Sequence, residues 1–103
     1  MINLDNVVNY IVDTYKPETI YLFGSCARGG DRPDSDIDLM IVIDGDVAER
    51  VIRKDICDKF SDLNLHIHAI KKYEFDNKKN TRDGKGNLIY NIYHSGVVIY
   101  NVI

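Results

Sequence analysis

Residues 22–42 read LFGSCARGGDRPDSDIDLMIV, two apolar segments joined by a turn that carries Gly24, Ser25, Asp36 and Asp38. The segment before the turn, TIYLF at 19–23, is rich in β-branched and aromatic residues and predicts a buried strand. The segment after it, DIDLMIVI at 36–43, predicts a second strand. Between them, 25–29 has room for one or two helical turns before GGDRPDS breaks the pattern. Two core strands thus meet at a corner made of small residues and acids. Such a corner is either a solvated loop or a place that holds a phosphate and a metal ion.

Working outward, DNVVNYIVDTY at 5–15 sets Val7, Val8, Ile11, Val12 and Tyr15 on one stripe, the spacing of a helix. Asn3 or Asp5 would cap its start and Pro17 would end it. Asp44-Gly45 predicts a turn, and 46–60 a second helix with Val47, Val51, Ile52, Ile56 and Phe60 along one face. LNLHIHAI at 63–70 alternates like a strand, Leu63, Leu65, Ile67 and Ala69 facing one way and Asn64, His66, His68 and Ile70 the other. Residues 76–87 contain no apolar side chain and predict a loop. LIYNIYHSG at 88–96 reads as a short helix stopped by Gly96, and VVIYNVI as a closing strand or extended tail. Strands separated by helices predict an α/β (α+β) domain, a small mixed sheet flanked by helices, over residues 1–103.

The 103 residues suffice for one compact domain, and 45% hydrophobic with 28% charged residues is the composition of an ordinary globule. No apolar run approaches the roughly 20 residues of a membrane span, and the N-terminus lacks a secretion signal, so a cytoplasmic location is expected. Cys26 and Cys57 make no disulfide framework and are read as plain thiols. A net charge of −3 gives no electrostatic footprint for nucleic acid, and no direct nucleic-acid binding is expected. A phosphorylated small molecule is not excluded, because local dipoles and metal ions can hold it.

Gly24 and Ser25 follow a strand and open a predicted helix, where backbone N–H groups have no helical partner and favour an anion. Gly24 lets backbone approach a phosphate closely, and Ser25 adds a hydroxyl donor. Asp36 and Asp38 are two apart in a strand and so project from one face, with Cα atoms roughly 6–7 Å apart at about 3.3 Å per residue. Like charges beside a core are costly unless neutralised, and a hard divalent cation neutralises them while sharing itself with substrate phosphates. A phosphate cradle and a cation site complement each other.

The stretch GSCARGGDRPDSDIDL at 24–39 resembles the signature of the minimal nucleotidyltransferases, a branch of the DNA polymerase β-like superfamily. Arg28-Gly29 and Ser35-Asp36 match its usual surroundings, and the N-terminal helix, the strand before Gly24 and NIYHSGVVIY fit the family's layout. The resemblance implies the polymerase β-like nucleotidyltransferase fold and transfer of a nucleoside monophosphate, AMP from ATP being expected, to a hydroxyl with release of pyrophosphate. It implies two Mg²⁺ ions, or Mn²⁺, held by Asp36 and Asp38. Gly24 and Ser25 would hold phosphates, and Arg28 or Arg32 would help neutralise them.

The family normally carries a third carboxylate on the following strand, and the matching position here is His66. Asp62 has the right parity but lies four residues away, about 13 Å along a strand. Imidazole is a poor Mg²⁺ ligand but well suited to general-base work near neutral pH. His68 points the same way, so His-x-His either binds Zn²⁺ or Mn²⁺ or is simply packed. Three readings follow: an active transferase with catalytic residues Asp36, Asp38 and His66; a catalytically impaired domain acting as a nucleotide- or partner-binding module; or a structural relic. The chain has no room for an appended substrate domain, and stand-alone minimal members resemble antitoxins that add AMP to a tyrosine of a small helical HEPN ribonuclease. That partner class is the expected one.

Overall fold

The computed structural model describes residues 4–24, 36–80 and 87–102. In chain order they form α1 (Asp5–Tyr15), β1 (Thr19–Phe23), β2 (Ile37–Ile43), α2 (Glu49–Lys59), β3 (Leu65–Lys71), α3 (Lys72–Lys78), α4 (Asn87–Ser95) and β4 (Val97–Asn101). The four strands lie in one sheet in the order β3-β2-β1-β4. β1 runs antiparallel to β2 and to β4, whereas β2 and β3 are parallel and joined through α2. This is the mixed sheet with flanking helices that the pattern of apolar segments predicts.

The sheet is covered on both faces, which explains the unbroken apolar run in β2. Ile37, Leu39, Ile41 and Ile43 face α1 and α2, where they cluster with Val7, Ile11, Ile52 and Ile56. Met40 and Val42 face the other way and cluster with Tyr21, with Phe75 of α3 and with Ile92 of α4. Every one of these side chains is buried, so alternation survives in β2 only as a choice between two cores.

Several local expectations need correction. No side chain caps α1: Leu4 occupies that position, Asp5 sits in the first turn, and Asn3 lies outside the described residues. Its end is made by Lys16 in the left-handed region (φ 51°), whose N–H donates to the Val12 carbonyl at 3.1 Å; Pro17 follows. The second helix begins at Glu49 rather than 46, with Ala48 extended just before it, and Val47 and Val51 are exposed. Residues 76–78, expected as loop, belong to α3. Polar residues hide that helix from a search for apolar stripes. It is held by one buried anchor, Phe75, and by Asp76, which pairs with Lys72 at 3.3 Å and Lys79 at 3.4 Å.

α1 and α2 are also tied by a polar clasp. The Tyr10 and Tyr15 hydroxyls both donate to Asp55 Oδ2, at 2.7 and 2.5 Å. These bonds, that from Tyr15 first, hold the Asp55 carboxyl below its usual range. Burial, then Asp55, pushes the Tyr15 phenol up, and the bond to Asp55 does the same for Tyr10. Asp55→Ala is expected to destabilise the domain by about 1–2 kcal/mol, less than two buried charge-assisted bonds would give because Asp55 is half-exposed. The lowered carboxyl contributes stability that is complete above the unfolded value of about 3.9 and is lost as pH falls through the folded value. The raised phenols contribute stability that is complete below about pH 10 and is lost as pH rises through theirs. Denaturant melts across pH should therefore show a wild-type advantage that is flat between about 4 and 10 and shrinks at both ends.

Candidate active site

The site lies where β1 ends and where β2 and β3 begin, on the sheet face shared with Met40 and Val42. Parallel pairing sets the corner: Asp38 is in register with His66, and the Ile37 N–H donates to the Asn64 carbonyl at 2.9 Å. Asp36 thereby meets two residues of the following segment. The Asn64 amide donates to Asp36 Oδ1, and His66 Nε2 stands 3.6 Å from the same oxygen. The two acids and the histidine thus come together on one face, as strand parity requires.

Gly24 joins them from the end of β1. It follows Phe23, which is in register with Asp38, and its φ of +76° lies in the left-handed region that favours glycine. A Cβ at Gly24 would run into the Asp38 carboxylate, with Cγ at 3.3 Å. Backbone and carboxylate can share this corner because no side chain stands between them. Asp36 and His66 are exposed and Asp38 is half-buried, so the corner opens to solvent.

His68 has a packing partner: its ring lies 5.6 Å from that of Phe23. Asp62 is exposed in the turn before β3 and is not on that strand. Ser25, Arg28, Arg32 and Cys26 lie outside the described residues. Asn64 was not expected at the site, although its place two residues before His66 put it on the same face of the alternation. A cleft of about 450 Å³ continues from Gly24, between Phe23 and the α4 residues Leu88, Asn91, Ile92 and Ser95. Nothing in the local sequence of α4 shows that it faces this corner.

The donors fit a hard divalent cation. Asp36 and Asp38 offer carboxylate oxygens from one face, and the space over Asp38 is what a Cβ at Gly24 would fill. Among the described residues, no group of three or more His, Cys, Asp or Glu side chains gathers as a metal cage. Two carboxylates on one face suit a hard divalent cation that keeps waters and takes further oxygen ligands. Among the described residues, no helix is long and apolar enough to cross a membrane.

The family model described as Polymerase beta, Nucleotidyltransferase matches residues 5–102. No curated protein and no solved structure matches the chain. The family match takes in every described helix and strand together with the glycine–acid corner, and the chain belongs to the polymerase β nucleotidyltransferase family.

Proposed function

We propose that this nucleotidyltransferase domain moves a nucleoside monophosphate, AMP from ATP, onto a hydroxyl acceptor, with Asp36 and Asp38 holding Mg²⁺ or Mn²⁺. The observation that carries the reading is the approach of Gly24 to Asp38 beside Asp36 and His66. When bound, the cation would neutralise charge on the phosphoryl oxygens. The backbone at Gly24, followed by Ser25 and Arg28, would cradle the phosphates. His66 stands where the family has its third carboxylate and would take the proton of the acceptor hydroxyl. The acceptor oxygen forms its bond to the α-phosphorus as the bond to the β-phosphate oxygen breaks, and pyrophosphate leaves.

The signature at 24–39 resembles that of the minimal nucleotidyltransferases, and we infer from that resemblance a tyrosine of a small helical HEPN-type ribonuclease as acceptor. A second reading has support of its own. Asp36 is engaged by Asn64 and His66 rather than by a third acid, which suits a domain that binds nucleotide without turnover.

Labelled ATP, with Mg²⁺ or Mn²⁺ and the protein encoded by the neighbouring gene, distinguishes the two. Transfer of label supports the enzyme; ATP binding without transfer supports the binding module; neither overturns both. His66→Asp, which restores the family's carboxylate, is expected to raise Mg²⁺-dependent transfer several-fold, since oxygen is the better ligand. A fall in transfer with unchanged ATP affinity would instead identify the histidine as the working base.

A further inference from the structure

The two acids of the corner are not held alike. Asp38 lies within β2, in register with Phe23 of β1 on one side and His66 of β3 on the other, and it is half-buried. Asp36 stands one residue ahead of β2, with its side chain 53% exposed. A carboxylate in so open a position turns among several rotamers unless a neighbour holds it. A cation that meets a turning ligand must first order it, and that cost falls on the binding step.

Asn64 is such a neighbour. It stands one residue ahead of β3, as Asp36 does ahead of β2, so the parallel pairing that sets Ile37 beside Leu65 brings these two together. Its carbonyl accepts from the Ile37 N–H at 2.9 Å, and its amide donates to Asp36 Oδ1. One residue thus ties the start of β2 by its backbone and the acid by its side chain. Its own backbone is fixed on both sides: the Leu63 N–H donates to the Phe60 carbonyl at 3.0 Å, and Leu65 is buried in the core. His66 does not share the task, because its Nε2, at 3.6 Å, is beyond hydrogen-bond distance of that oxygen.

The chemistry of the side chain matters as much as its place. A lysine or arginine here would also hold the carboxylate, but its positive charge would repel the cation. An amide donates a hydrogen bond and carries no net charge. Asn64 therefore orients Asp36 without adding a positive charge to the corner.

We propose that Asn64 is a positioning residue of the cation site, its amide presetting the Asp36 carboxylate for a divalent ion. This rests on the assignment of Asp36 and Asp38 to that ion, and it applies equally whether nucleotidyl transfer or nucleotide binding alone follows.

Mn²⁺ titration of the full chain without nucleotide, read by the electron paramagnetic resonance of the free ion, tests the proposal. Asn64→Leu nearly keeps the size of the side chain and removes the donor, at an exposed position where the fold tolerates the change. Partners that hold a ligating carboxylate are typically worth about 10–100-fold in metal affinity. The loss of Mn²⁺ affinity is expected at the low end, about tenfold, because both side chains are exposed. Asn64→Ala should match it, and Asn64→Gln, which keeps the amide, should recover most of the loss. In an Asp36→Asn background Asn64→Leu should cost nothing further, since its effect runs through that carboxylate. The metal-free melting temperature should stay near wild type throughout. Wild-type Mn²⁺ affinity in Asn64→Leu and Asn64→Ala, with affinity lost in Asp36→Asn, overturns the positioning role and leaves the cation site standing. A lowered melting temperature with unchanged affinity makes Asn64 structural and overturns it too, as does an undiminished effect of Asn64→Leu in the Asp36→Asn background. A wild-type chain that binds no Mn²⁺ overturns the cation site and the positioning role together.

Discussion

Asp36→Asn with Asp38→Asn is expected to reduce kcat/KM for nucleotidyl transfer by at least about a thousandfold, measured with labelled ATP at saturating Mg²⁺. The two changes keep shape and remove charge. A cation at the reacting phosphate contributes several kcal/mol of transition-state stabilisation, and each 1.36 kcal/mol is about a factor of ten in rate. Neutral amides would leave the corner unable to hold the cation. The fold should not suffer, because neither acid belongs to the clusters on the two sheet faces. A melting temperature equal to or above that of the wild type, with transfer lost, is the expected pair of results. Wild-type transfer by the double variant would remove the acids from the mechanism; a collapsed melting temperature would make their role structural.

Gly24→Ala is expected to be costly twice over. At φ +76° an L-residue with a Cβ is disfavoured by about 1–2 kcal/mol. At about 4–8 °C per kcal/mol for a domain of this size, the melting temperature should fall by roughly 4–15 °C. The new methyl would also enter the space of the Asp38 carboxylate and push it off its position. Displacement of a catalytic group by about 1 Å can lower the rate about a hundredfold, and transfer should fall by at least that much at temperatures where the variant is folded. Gly45→Ala is the control. A Cβ there meets only the Ile43 side chain, at 3.9 Å or beyond, and its φ is not positive, so transfer and stability should stay near wild type. Equal effects from the two alanines would mean that Gly24 has no special relation to the acid.

Most of the fold was legible because apolar side chains write it directly. The stripe Val7, Ile11 gave α1, and the alternation Leu65, His66, Ile67, His68 gave β3 together with the faces of its residues. α3 was not legible, since charge pairs around a single phenylalanine hold it. Val47 and Val51 misled for the opposite reason: they are apolar but exposed, Val47 in the segment before α2 and Val51 on the solvent side of the helix. At the site, Asp36 and Asp38 could be placed on one face from parity alone. Their meeting with Asn64 and His66, 28 residues on from Asp36 and from Asp38, depends on the β2–β3 register, which no local pattern encodes. The packing of α4 beside Gly24 is tertiary in the same sense.

The parallel pairing of β2 with β3 bears on the order in which the protein is made. β1 and β2 are neighbours in the chain and can join as a hairpin while synthesis continues. The acid corner needs β3, which can dock only after α2 has emerged and crossed over. β4, the last of the described strands in chain order, pairs with the other edge of β1. A nascent chain released before residue 64 would display both carboxylates without the histidine and asparagine that flank them. The acid corner is thus completed only once β3 has docked.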